Sequence, residues 1–172
     1  MQNNKKLLIC SLGSIGKRHL RLLNANWPSI KISIFRSGAN KKNNISKDTI
    51  ENVENIFTDL KDTLDWKPDM AIISSPASMH LEQALSLSSK NIPLLIEKPL
   101  GTGYESSIEW KKLESFAKKT PILVGYVLRH DPTIIRFKEK LYSGKLGKIV
   151  DAEFYCGSWL PSWRQDVDYT KS

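Results

Sequence analysis

Gly13 and Gly16 stand in the run Ile9-Cys10-Ser11-Leu12-Gly13-Ser14-Ile15-Gly16, where an apolar segment breaks into a turn and reopens as a helical pattern. Such a turn can hold a phosphate. Free amides and the positive dipole end of a helix N-terminus favour an anion; Gly13 lets the backbone approach it, and Gly16 lets the helix pack on the strand. The usual pattern is G-x-G-x-x-G, and here Ser11 replaces its first glycine. Ser11, Gly13, Ser14, Ile15 and Gly16 are therefore expected to meet a dinucleotide pyrophosphate.

A second set of residues follows the ends of later apolar runs. In an NAD-type site the second strand ends in an acid ~20 residues past the glycines, where it binds the ribose hydroxyls. Here Phe35 is followed by Arg36 and Ser37, a cation and a hydroxyl suited to the extra 2′-phosphate of NADP. NADP is accordingly the expected cofactor, with NAD as the alternative; an ordinary exposed arginine is the simpler reading of Arg36. Farther on come Ser75-Pro76 with His80, and then Glu97-Lys98-Pro99. By residue type alone Lys98 is a surface cation paired with Glu97, and His80 is either a general base or a structural or cofactor-proximal residue.

The elements that must position these groups alternate. Leu7 to Ile9 reads as a buried strand, and Ile15, His19, Leu20, Leu22 and Leu23 recur at helical spacing after it. Ile30 to Phe35 gives a second strand and Ser37 to Lys47 a polar surface loop. Asp59 to Trp66 forms a short helix, and Met70 to Ile73 a continuous apolar strand of the kind covered by helices on both faces. Ser78 caps a helix carrying Leu81, Ala84, Leu85 and Leu87 before the strand Leu94 to Ile96. A helix from Tyr104 to Lys119, apolar at Ile108, Leu113, Phe116 and Ala117, precedes the strand Ile122 to Val124. Strand and helix in alternation imply an α/β fold, a Rossmann-type doubly wound parallel sheet with ligands at the carboxyl ends of its strands. Residues 1–126 form this nucleotide-binding domain. From residue 127 the rhythm changes to a helix over Thr133 to Tyr142 and a half-buried strand over Lys148 to Tyr155, so 127–172 reads as the start of an incomplete α+β second domain.

Composition narrows the function classes. The net charge of +8 is concentrated at the start: residues 1–48 hold ten Lys or Arg and one acid, Asp48, and the remainder sixteen bases and seventeen acids. A nucleic-acid surface needs a basic stripe interleaved with aromatics or a reading helix, and neither is visible, so no nucleic acid is expected. A phosphate-rich cofactor near Lys17, Arg18 and Arg36 is the more economical anion. No run approaches the ~18 apolar residues of a membrane span, so no membrane partner is expected. Cys10 and Cys156 lack metal spacing, which argues against a metal site and for reduced thiols in a cytoplasmic protein.

Four features in order, the turn Gly13 to Gly16, Ser75-Pro76 with His80, Glu97-Lys98-Pro99, and Gly125-Tyr126 followed by Arg129, carry a resemblance that covers essentially the whole chain. The sequence resembles the glucose–fructose oxidoreductase, inositol dehydrogenase and rhizopine catabolism family of nicotinamide-dependent oxidoreductases. The resemblance implies hydride transfer between nicotinamide and a hydroxyl or keto carbon of a sugar, sugar derivative or cyclitol, in an intact homo-oligomer. It implies that Lys98 is the active-site lysine, desolvated and bonded to the substrate oxygen, that Glu97 lies near the nicotinamide ribose, and that Pro99 follows a cis bond. Ser75, Pro76 and His80 fall at the cofactor.

Substrate contacts are expected from Arg129, Trp163 and Arg164. A hinge salt bridge with Asp131 is the plainer reading of Arg129, and a core or subunit interface that of the tryptophans. Family members complete the site with an Asp and, about one helical turn later, a His in the second domain. Asp166 and Asp168 have no such His after them. The chain is thus expected to be a truncated, cofactor-binding part with little or no turnover alone, and the alternative is a nonenzymatic NADP-binding module or sensor.

Overall fold

Lys6 to Cys10 is apolar from Leu7 onward because the strand it forms is covered on both sides. Leu7 and Ile9 point into one core with Leu20 and Leu23, while Leu8 and Cys10 point into the other with Leu81, Ala84 and Leu87. The computed structural model describes residues 5–37, 52–157 and 159. The chain divides into two compact units, Met1–Val127 and Leu128–Ser172.

In the first unit six parallel strands, β1 (Lys6–Cys10), β2 (Lys31–Phe35), β3 (Val53–Phe57), β4 (Met70–Ile73), β5 (Leu94–Ile96) and β6 (Ile122–Val124), pair in the order β3-β2-β1-β4-β5-β6. This is the doubly wound order of a Rossmann sheet, which reverses direction between β1 and β4. Helix α1 (Ser14–Asn26) packs Leu20 and Leu23 on one face. Helices α2 (Leu60–Asp65), α3 (His80–Ser88) and α4 (Ser107–Ala117) contribute Leu60 and Leu64, Leu81 and Leu87, and Leu113 to the other.

Several local expectations need correction. The sequence reading contains no β3. Its residues Val-Glu-Asn-Ile-Phe are half polar because the strand lies at the sheet edge, and a register shift between Ile32 and Ser33 turns Val53 to one core and Phe57 to the other. Ser78 does not cap α3: it sits within a 3₁₀ turn, Ala77–Met79, that runs directly into the helix. The next helix begins at Ser107 rather than Tyr104. Ser106 and Glu109 form a capping box there, Ser106 Oγ accepting from the Glu109 amide and Glu109 Oε2 accepting from the Ser106 amide. Ile108 and Ala117 on that helix are exposed. Of the loop expected over Ser37 to Lys47, only Ser37 lies within the described residues.

The second unit carries helix α5 (Pro132–Tyr142). Asp131 caps it, its carboxylate accepting from the amides of Thr133 (2.8 Å) and Ile134 (3.2 Å), and Pro132 opens the first turn. Lys148 to Tyr155 is not a strand here. Its side chains are exposed and no ladder forms among the described residues, since alternation supplies a face but not the partner backbone a strand requires. No helix among the described residues is long and apolar enough to cross a membrane.

Candidate nucleotide site

At the reversal of strand order the carboxyl ends of β1 and β4 are bolted together. The Ser74 amide donates to the Cys10 carbonyl (3.0 Å), and Ser74 Oγ lies 2.9 Å from that oxygen and 3.0 Å from the Ser11 carbonyl. Ser11 leaves β1 with φ +77°, its amide donating to the Phe35 carbonyl at 2.8 Å. That is the left-handed conformation a glycine adopts at no steric cost, which is why the pattern ordinarily has one there. Cys10, just before it, is fully buried, and burial pushes its thiol up to about 12.

The two remaining glycines of the turn act differently. A Cβ on Gly16 would overlap the Ser11 carbonyl oxygen and crowd Ser74 Oγ, so the helix can lie this close to the strand only with glycine there. Gly13 has φ −65° and ψ −172°, and a Cβ added to it meets nothing. The fold itself makes no demand for glycine at 13. The added atom would project into open space at the N-terminus of α1, where first-turn amides have no carbonyl one turn earlier to bond, no capping side chain intervenes and no acid lies in the first turn. An anion fits that position.

These parts open onto a cleft of about 260 Å³. Ser11, Gly13, Ser14 and Ile15 line its centre; Arg36 and Ser37 line the side formed by the β2 end, and Ser75 and Pro76 the side formed by the β4 end. Eight of the expected cofactor residues thus come together, with Gly16 beneath the turn. Lys17 and Arg18 do not join them: both are exposed on α1 outside the cleft. Leu12, Phe35, Ser74, Met79 and Gln83 line the cleft as well, and the sequence reading assigned none of them to the site. Gln83 had a signal. It falls three residues after His80 on the buried stripe of α3, where an amide among apolar neighbours needs a reason.

His80, Glu97 and Lys98 lie outside this cleft. The His80 ring is buried, with Nδ1 2.8 Å from the Pro99 carbonyl oxygen and Nε2 2.8 Å from that of Ser75. A carbonyl only accepts, so a neutral ring donates to one of the two. The ring braces the chain after β4 against the chain after β5. The Lys98–Pro99 bond is cis.

Glu97 is buried and does not pair with Lys98. Its Oε1 lies 2.7 Å from His19 Nε2, and its Oε2 would be 3.1 Å from a Cβ on Gly125, so β6 also closes against this carboxylate. The sequence pattern places His19 only on the packing stripe of the first helix, three residues after Gly16, and gives no sign of its pairing with Glu97. Lys98 is exposed at the β5 end, not desolvated within this unit. Arg129 is exposed in a 3₁₀ turn, Val127–His130, and forms no ion pair with Asp131, whose carboxylate caps α5. Trp163 and Arg164 lie outside the described residues. Among the described residues, no cluster of His, Cys, Asp or Glu could hold a metal ion.

Residues 5–126 match the family described as "Oxidoreductase family, NAD-binding Rossmann fold". Inositol 2-dehydrogenase 2 of Mycolicibacterium vanbaalenii is 23% identical over 143 residues, 83% of this chain and 42% of that protein. Among solved structures, myo-inositol 2-dehydrogenase of Lactobacillus plantarum superposes with a TM-score of 0.71 at 24% identity, over 86% of this chain and 43% of its own. Scyllo-inositol dehydrogenase of Lactobacillus casei, with bound NAD(H) and scyllo-inositol, gives 0.70 at 21% identity, over the same shares. The chain therefore spans about two fifths of the length of the curated relatives it matches. At these identities the structural likeness establishes the fold.

Proposed function

This chain belongs to the oxidoreductase family with an NAD-binding Rossmann fold, and on that premise we propose that it carries the cofactor half of a dehydrogenase acting on a cyclitol or sugar and preferring NADP to NAD. The observation that carries the reading is the cleft at the β1/β4 reversal, with the uncapped N-terminus of α1 at its centre and Arg36 and Ser37 at its side.

In the division of labour we propose, residues 1–126 bind the nucleotide and residues 127–172 belong to the substrate side, with Arg129, Trp163 and Arg164 as contacts for a hydroxyl-rich ligand. A nicotinamide dinucleotide would supply the hydride acceptor or donor at C4 of its ring. The first turn of α1 binds the pyrophosphate, and Arg36 with Ser37 takes the 2′-phosphate by charge-assisted hydrogen bonds. Glu97, held by His19, fixes the ribose next to the nicotinamide. Lys98 donates a hydrogen bond to the substrate oxygen, stabilising the negative charge that builds on it as the carbon–hydrogen bond forms and, in the opposite direction, the alkoxide from which hydride departs. The cyclitol assignment is supported by the inositol dehydrogenases among the relatives, and assembly of the intact enzyme as a homo-oligomer is part of the same reading.

The cofactor preference is tested by titrating NADPH and NADH against nicotinamide fluorescence. A hydrogen bond to a charged group is worth about 1.5 to 3 kcal/mol, so NADPH should bind roughly tenfold to a hundredfold more tightly and Arg36→Ala should erase that ratio. Equal affinities in the unmutated protein would overturn the NADP assignment and leave the dinucleotide site standing.

A further inference from the structure

Gln83 is 3% exposed, and what remains accessible of it lines the nucleotide cleft. Its Oε1 accepts a hydrogen bond from Ser75 Oγ at 2.8 Å. That bond fixes which end of the amide faces inward. The Nε2 group makes no hydrogen bond among the described residues, yet it is not one of the buried orphans, of which Ser88 Oγ is the only case there. A buried amide, oriented by a neighbour, thus presents a donor to the cleft.

We propose that Gln83 is a specificity-determining residue that recognises the adenine of the dinucleotide through this Nε2 donor, with Ser75 acting as its positioning residue. The inference rests on the cofactor reading above. Position decides which half of the ligand is met. In the strand order β2-β1-β4, Arg36 and Ser37 at the β2 end and Pro76, Met79 and Gln83 after β4 flank the phosphate turn on its two sides. Glu97 and Lys98 follow β5, one strand farther along, and do not line this cleft. The enclosed part is therefore the adenosine side. Pro76 and Met79 offer apolar surface to a flat base, and the base's ring nitrogens are acceptors that match the amide donor. Ser75, which also lines the cleft, orients the glutamine by donating its hydroxyl to Oε1.

The test is binding, not turnover. ADP-ribose, which carries the adenosine and pyrophosphate but no nicotinamide, is titrated calorimetrically into the unmutated chain, Gln83→Leu and Ser75→Ala, with thermal melting to confirm folding. Gln83→Leu keeps the side-chain volume and removes the donor, and should weaken ADP-ribose about threefold to tenfold. Ser75→Ala leaves the donor but frees its orientation, and should weaken it about twofold. In the unmutated protein the side-chain ¹⁵N–¹H₂ resonances of Gln83 should shift on adding ADP-ribose, a readout that needs no variant to fold. A folded Gln83→Leu that binds as tightly as the unmutated chain, or resonances that do not move at saturation, would overturn the assignment alone. Failure of the unmutated chain to bind ADP-ribose, NADH and NADPH would instead overturn the cofactor reading and this inference with it.

Discussion

His19 Nε2 and Glu97 Oε1 lie 2.7 Å apart, a contact between α1 and the end of β5 that joins residues 78 positions apart in sequence. It spans the reversal of strand order from one side to the other. Both side chains are largely shielded, so neither can exchange its partner for water without rearrangement.

Removing the histidine should therefore cost stability as well as alignment. His19→Ala leaves a buried carboxylate without its partner, and a loss of about 1 to 3 kcal/mol in urea unfolding is expected. Glu97→Gln in the same background should recover part of it. A double-mutant cycle with coupling near zero would show that the contact contributes nothing.

Gly13 and Gly16 should separate cleanly. Gly16→Ala forces an atom against the Ser11 carbonyl and should destabilise the fold by about 1 to 3 kcal/mol. Gly13→Val meets no protein atom and should leave the melting temperature nearly unchanged while abolishing nucleotide binding. A Gly13→Val protein that binds as before would show that the anion site lies elsewhere.

Ser11 holds a left-handed backbone, φ +77°, without being glycine. Relieving that conformation gains about 1 to 2 kcal/mol, offset by about 0.5 to 1 kcal/mol from the greater freedom of glycine in the unfolded chain. Ser11→Gly should thus raise stability by up to about 1.5 kcal/mol, read as a higher denaturation midpoint with an unchanged slope. A lowered midpoint would mean that the serine hydroxyl holds the turn by a bond stronger than the strain.

The loop after Leu100 should open in acid. The Thr102 amide, with the Thr102 hydroxyl and Gly103 amide, bonds the Glu105 carboxylate and pulls it from the ordinary value of 4.5 down to about 2. Because the folded-state value is depressed, the stabilisation is fully present above about 4.5 and is lost as pH falls toward about 2. Amide exchange at Thr102 and Gly103 should accelerate over that window, relative to its intrinsic rate, and Glu105→Gln should remove the dependence. Exchange that follows only the intrinsic rate would place the carboxylate in water.

What the sequence disclosed, and what it did not, follows from the reach of each interaction. β1, β4 and β5 were legible because a strand covered on both faces is a continuous apolar run, and the turn at Gly13 to Gly16 because the chemistry of that spot restricts side-chain size. β3 was hidden because an edge strand of Val-Glu-Asn-Ile-Phe carries the composition of its polar surroundings. Lys148 to Tyr155 was misread for the opposite reason, its alternation lacking a partner to bond. The sequence also placed Glu97 next to Lys98 and suggested their pairing, whereas adjacent residues at a strand end face different ways and the buried partner, His19, comes from another element.

Cys10 turns the same sheet into its own clock. Alkylating reagents attack the thiolate, and a thiol with no exposed surface and a raised affinity for its proton is shielded twice over. Modification at Cys10 must wait until β1 separates from its neighbours, whereas Cys156, exposed in the second unit, reacts at once and marks the zero of time. The lag between the two counts the openings of the strand end on which the nucleotide would rest, and a ligand seated there should lengthen it.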